Sequence, residues 1–314
     1  YLVQANNARY QYYSGLLKYK RTFAEVHNID AMFGINAEKW VTKKVVTARE
    51  KFEDAGIYDL NLATGTQGNG GGKTHNGTYS YIARLNYNYA EKYMVELMGR
   101  RDGNSKFAPG YRFKSFGSVS LGWAFSEEQF VEFLKPVLSF GKLRLSYGSS
   151  GNDVGLGDYD YVSTVSLGTA GFGTIPANQV SSGFGGLISY DRTWEKVSQK
   201  NFGIDLNFFD NRLKATFDYF IKDNTGMLVN VTYPGVLGGK APKTNSGHLN
   251  VKGWEFTIGW RDQIKDFSYY ANFNIGDTKS LLKEMEGADS YGAGWNAAVN
   301  GYPLNSYFLY RTDG

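Results

Sequence analysis

Residues 199–223 read QKNFGIDLNFFDNRLKATFDYFIKD. Phe202, Ile204, Leu206 and Phe208 alternate with Asn201, Gly203, Asp205 and Asn207. Asp210 and Asn211 follow, residue types that tolerate positive φ and so make turns. Leu213, Ala215, Phe217, Tyr219 and Ile221 then alternate with Lys214, Thr216, Asp218 and Lys222. A period of two on both sides of a short turn predicts an antiparallel hairpin with one apolar and one wet face.

The same pattern recurs. In YSYIARLNYNY, Tyr79 to Tyr89, the odd positions are Tyr, Ala or Leu, while Arg84, Asn86 and Asn88 lie opposite. YMVELMGRR follows after a short link at residues 90–92, with Met94 and Met98 breaking the alternation. A third hairpin joins Trp254, Phe256, Ile258 and Trp260 to Phe267, Tyr269, Ala271, Phe273 and Ile275. A weaker pair spans Tyr10 to Tyr19 and Ile29 to Ala37. The segments run to about 10–13 residues and number about ten or eleven, near the length of a tilted bilayer-crossing strand.

Connections alternate in length. Short links fall near residues 22–28, 90–92, 210–211 and 262–266. Long polar stretches fall at 39–77, 151–197, 225–249 and 278–305. A shorter connection at 103–112 lies on the long-loop side. Residues 127–139 are the exception, and FVEFLKP there predicts a brief helical turn. Long loops at one end and short turns at the other describe a transmembrane barrel with extracellular loops and periplasmic turns. A soluble sandwich also alternates its faces, but it turns every 8–12 residues over shorter strands. Spacing favours the barrel.

Composition agrees. Tyr 24, Phe 21 and Gly 39 against Pro 6 suit β structure with aromatic girdles and turns. Mean hydropathy is −0.41, which an alternating barrel permits. A net charge of +4 without basic clusters gives no case for nucleic acid. No cysteine is present, and His27, His75 and His248 lack metal-ligand spacing. No cofactor is expected.

Two motif-like stretches resolve into loops. GTQGNGGGKTHNGT, residues 65–78, ends like a phosphate-binding loop, but Gln67 replaces the first glycine and a strand pattern follows. Gly65 to Gly77 is therefore expected to be an exposed loop short of regular structure and empty of nucleotide. Glu127-Glu128 and Asp158 with Asp160 are sequence neighbours, which does not place two carboxylates across a cleft. No nucleophile, base and orienting group cluster, so an enzyme is disfavoured.

Several stretches, in order, resemble the SusC/RagA-type TonB-dependent outer-membrane transporters. RRDGNSKF at 100–107 is similar to their RRDGSSRF, and SVSLGW at 118–123 with Ser126-Glu127-Glu128 to their SVSLGW…SEE. KLRLSYGSSGN at 142–152 resembles KLRASYGQTGN. TWEK at 193–196 leading to NFGID at 201–205 resembles WEKT…NIGLD. NVKGWE at 250–255 resembles NKGWE, and GYP at 301–303 with YRTDG at 310–314 resembles GYP…YKTDG. Residues 1–99 match in style more than in motif.

The resemblance implies an all-β, antiparallel transmembrane barrel of 22 strands with a plug inside. Residues 1–314 would be about half of that barrel, read as part of a longer chain without its plug. It implies residence in the bacterial outer membrane, in contact with its lipid. It implies import of a large nutrient, oligosaccharide rather than peptide, powered through TonB and assisted by a SusD-like surface lipoprotein. An adhesin or structural barrel binding partners through its loops is the alternative.

Faces follow from the alternation. Tyr79, Tyr89, Tyr93, Tyr219 and Trp260 are expected to face lipid, at the membrane interfaces. Arg84, Asp205, Asn207, Lys214, Asp218, Asn272 and Asn274 are expected to face the lumen. Loop aromatics beside polar groups suit sugar or peptide ligands, and Tyr159, Tyr161, Tyr291 and Trp295 are the candidate substrate contacts.

Overall fold

A computed structural model describes residues 1–52, 56, 59–170, 179–184, 186–230, 236, 241–285, 290–291 and 298–310. Ten strands form one antiparallel sheet. They are β1 (Leu2–Phe23), β2 (His27–Arg49), β3 (Gln67–Tyr89), β4 (Tyr93–Asn104), β5 (Phe113–Trp123), β6 (Leu138–Asn152), β9 (Glu195–Phe208), β10 (Leu213–Asn230), β11 (Lys243–Ile264) and β12 (Phe267–Glu284). Each pairs with its neighbour in chain order, with β6 joined to β9. Two small hairpins stand apart, β7 (Val165–Ala170) with β8 (Gln179–Phe184), and β13 (Ser290–Tyr291) with β14 (Ala298–Val299). Short 3-10 helices at Phe125–Glu127 and Gln129–Leu134 confirm the helical turn expected there.

The turns come from residues forced to positive φ. Ala24 and Glu25, Ala90 and Glu91, and Phe209 to Asn211 all adopt it. The Asp210-Asn211 turn is thus as read, joined by Phe209.

The register sorts side chains into two faces. Tyr79, Tyr89, Tyr93, Tyr219 and Trp260 share the apolar face, and Arg84, Asp205, Asn207, Lys214, Asp218, Asn272 and Asn274 share the polar one. Among the described residues no second sheet lies against the apolar face. Leu17, Leu97, Leu145 and Phe273 are 72%, 46%, 51% and 57% exposed. A sandwich would bury these side chains, and lipid is the solvent that suits them bare. The small buried cluster of Phe107, Phe116, Leu156 and Trp194 lies elsewhere, among the loops.

One row of directly paired residues crosses the whole sheet: Tyr19, Ala31, Leu85, Leu97, Val119, Tyr147, Lys200, Ile221, Lys252 and Lys279. The apolar belt does not run parallel to it. On β1 the belt gives way at Gln11, eight residues above the row, and on β12 at Asp277, two residues below. Ten residues of stagger over nine strand steps, at ~3.3 Å per residue and ~4.8 Å per strand, mean strands tilted by about 40°. That is the tilt of a membrane barrel wall.

Two expectations need correction. The stretch 39–77 is mostly strand, since β2 continues to Arg49 and β3 starts at Gln67. Gly65 to Gly77 is largely exposed, as expected, but regular from Gln67 onward, paired with Arg49 to Lys39. In the same way β10 and β11 extend into 225–249, and strands reach 23 residues rather than 13. The cause is physical: above the membrane both faces of a strand meet water, so the apolar–polar alternation that marks it disappears. Val41, Thr42, Val45, Val46 and Thr47 still carry the β-branched preference for extended backbone.

Candidate functional site

Where β4 ends at Asn104 and β5 begins at Phe113, the ladder stops and side chains hold the chain. Arg100 clasps Asp102 at 2.6 and 2.8 Å, and the Asp102 carboxylate is buried. The Asn104 amide donates to Asp153, whose carboxylate also faces Lys106 at 3.8 Å. Trp194 packs on Phe107 and Phe116, with centroids 5.2 and 6.1 Å apart, and its Nε1 donates to the Arg112 carbonyl at 2.8 Å. Glu195, 6% exposed, accepts from the Leu228 amide and from Asn152 Nδ2, both at 2.7 Å, and more distantly from Asn224. Asn245 bonds both ways to the Thr193 backbone at 2.8 Å. The stretches RRDGNSKF, SYGSSGN and TWEK thus meet in one knot that ties the loops above β4–β6 to β9–β11.

Two of the candidate aromatics, Tyr159 and Tyr161, fall in or beside this knot. Tyr159 lies at the free edge of β3 above its pairing with β4. Its hydroxyl bonds His75 Nδ1 at 2.6 Å and accepts the His75 backbone N–H at 3.0 Å. Neighbouring Asp158 accepts from Asn76 at 2.9 Å. Tyr161 meets Tyr190 edge-on and receives Arg112 at 3.4 Å. Tyr291 lies in β13, which pairs with β14 in a sheet of its own. Trp295 lies outside the described residues.

The polar face carries its own cluster. Arg144 on β6 reaches across β9 to Asp205 at 2.7 and 3.1 Å and to Asp218 on β10 at 3.0 Å, while Asn201 donates to Asp218 at 2.9 Å. Gly203 makes this crossing possible: a Cβ there would meet Asp218 Oδ1 at 2.6 Å and Arg144 Cζ at 2.7 Å. Arg144 closes one side of a hollow of about 500 Å³ that Lys20, Asp30, Asn86, Glu96 and Lys142 also line. Such a face is hydrated and charged, and it contains binding groups without a nucleophile and base set for covalent chemistry.

One aromatic group was missed in the sequence. Tyr10 and Trp40 are direct partners on the polar face of β1 and β2, in ring contact with centroids 4.1 Å apart and planes tilted by 34°, each about half exposed. Tyr12 and Glu38 pair beside them, and Tyr12 hydroxyl reaches Asn36 Oδ1 at 3.4 Å. The register sets Tyr10 and Trp40 opposite the apolar row of Tyr19 and Ala31, which the sequence hid because Trp40 falls within 39–77, read as a loop.

Comparison with known proteins agrees with this geometry. Residues 2–310 match the family model described as TonB dependent receptor-like, beta-barrel. TonB-dependent receptor P39 of Formosa agariphila is 28% identical over 310 residues, covering 94% of this chain and 28% of that protein. TonB-dependent receptor SusC of Bacteroides thetaiotaomicron is 28% identical over 256 residues, covering 76% of this chain and 25% of that protein. The RagAB peptide importer in its closed-closed state superposes with a TM-score of 0.86 at 22% identity, over 98% of this chain and 34% of the other. The chain therefore spans about a quarter to a third of the proteins it matches. It forms part of an outer-membrane β-barrel, and it belongs to the TonB dependent receptor-like, beta-barrel family.

Proposed function

We propose that this chain is part of a barrel that imports oligosaccharide across the outer membrane. In the whole receptor a plug segment fills the barrel and is drawn by TonB, and a SusD-like surface lipoprotein covers the mouth. The observation that carries this reading is the two-faced wall. Its outside is bare and apolar, while its inside holds hydrogen-bonded charge around Arg144 and a polar-lined hollow of about 500 Å³. A wide, water-filled passage requires such a wall.

The exposed Tyr10–Trp40 aromatic pair supports oligosaccharide over peptide. Sugar rings offer flat C–H faces to aromatic rings and hydroxyls to neighbours such as Glu38 and Asn36. Tyr159, Tyr161, Tyr291 and Trp295 are proposed as further contacts nearer the loops.

The test uses the full-length receptor in cells, with fluorescent oligosaccharides and peptides measured separately. Oligosaccharide uptake is expected to vanish when TonB is deleted and to fall several-fold in the Tyr10→Ala, Trp40→Ala double variant. Uptake that persists without TonB overturns energised import. Peptide uptake that falls in the double variant while oligosaccharide uptake does not overturns the substrate class.

A further inference from the structure

The upper edge of the apolar belt carries a group of cations that the barrel's interior does not use. Lys200 on β9, Lys252 on β11 and Lys279 on β12 lie in one register row on the outward face, with Ile221 between the first two. All three are exposed and make no hydrogen bond or ion pair among the described residues. Immediately beneath Lys200 and Lys252 on the same face are Phe202 and Trp254, with Tyr219 between them on β10. Aromatic rings of this kind mark the level where hydrocarbon gives way to headgroups. The cations therefore sit at headgroup height.

Their arrangement is costly without an anion. Lys252 and Lys279 are direct cross-strand partners, and like charges placed opposite each other repel. Lys200 is two strands from Lys252, about 10 Å across the sheet, so two flexible lysine stems can reach one anionic group. Two carboxylates lie near the row on this face. Asp223 is engaged by His248 at 3.0 Å, Asn250 at 2.9 Å and Lys283 at 3.7 Å. Asp277 lies one step below Lys279 on β12 and leaves the lysine row positive overall.

We propose that Lys200, Lys252 and Lys279 form a binding site for phosphate groups on outer-leaflet glycolipid headgroups. Phosphate answers clustered ammonium groups, and the belt below receives the acyl chains. The proposal rests on the long-loop end of the barrel facing outward, and it is independent of which nutrient passes through the lumen.

The experiment places the full-length receptor in phosphatidylcholine nanodiscs doped with bisphosphorylated lipid A or with the same lipid dephosphorylated. Lipid retained after detergent extraction is counted by native mass spectrometry. Heat-modifiable migration verifies that each variant is folded. Wild type is expected to retain the phosphorylated form preferentially, and each lysine changed to glutamine is expected to reduce that retention by about five-fold, as for a cation near an anionic surface. The triple variant K200Q, K252Q, K279Q should lose the preference, while K18Q on the polar face should keep it. Equal retention by wild type and the folded triple variant overturns the proposal. So does saturation of the site by inorganic phosphate at a concentration that leaves lipid A retention unchanged.

Discussion

Above the membrane the chain is built in two ways. Over β1, β2 and β3 the ladder simply continues: Leu2 to Gln11 pairs with Ala48 to Lys39, which pairs with Gly68 to Gly77. Most of these side chains are exposed, and none joins a buried core. Between β4 and β6 the ladder breaks, and Phe107, Phe116, Leu156 and Trp194 bury themselves beneath a cover of satisfied polar groups. Backbone pairing asks little of side-chain identity, whereas a knot requires particular donors, acceptors and ring shapes. This explains why motif resemblance is dense from residue 100 onward and only stylistic before it.

The sharpest way to break the contrast is to remove the centre of the knot. Trp194→Ala should cost about 3–5 kcal/mol of local stability, from lost burial and an unpaired Arg112 carbonyl. Limited proteolysis of the folded full-length barrel is the measurement, and cleavage is expected within 152–195. A cleavage pattern like wild type would mean that the loops are held some other way. Glu195→Ala should follow at about 1–3 kcal/mol, because it leaves the part-buried Leu228 N–H without its acceptor. Glu195→Gln should recover part of that loss, since it keeps one acceptor oxygen.

A smaller, pH-dependent effect is expected at the opposite end, where side chains again replace the ladder. Glu128 accepts from Tyr93 hydroxyl at 2.5 Å and Trp123 Nε1 at 3.2 Å, near Lys92 at 3.9 Å. These donors hold its carboxyl below the ordinary value of 4.5. A depressed folded value contributes stability that is present above the unfolded value and lost as pH falls through the folded one. Melting temperature should therefore drop more steeply for wild type than for Glu128→Gln on acidifying from about pH 6 to about pH 3. Parallel curves would remove Glu128 from the account. Least of all should happen on the β1–β3 wall: Val45→Thr, at an exposed ladder position, should change the melting free energy by no more than about 0.5 kcal/mol. A large loss there would show that the wall depends on its side chains after all.

What could be read in advance follows the same division. Alternation within the membrane is forced by having lipid on one side and water on the other, so the hairpins at 199–223 and 254–275 and the face of each residue were legible. Beyond the belt that contrast ends, and the continuation of β2 and β3 through the glycine-rich 65–77 was hidden. The knot was visible only as matching motifs, because Asn152, Trp194 and Glu195 meet through long-range packing that no local spacing announces. Tyr159 was legible as an aromatic in a polar loop, but its grip on the edge of β3 was not.

The 40° tilt has a mechanical meaning. A force along the barrel axis does not pull neighbouring strands straight apart. Much of it acts along the strands and loads the ladder in shear, where the many hydrogen bonds between two strands resist together instead of opening one after another. The long β1–β2 and β2–β3 ladders, each more than twenty residue pairs, spread such a load the most widely. A wall built on this slant meets axial load with its whole ladder at once.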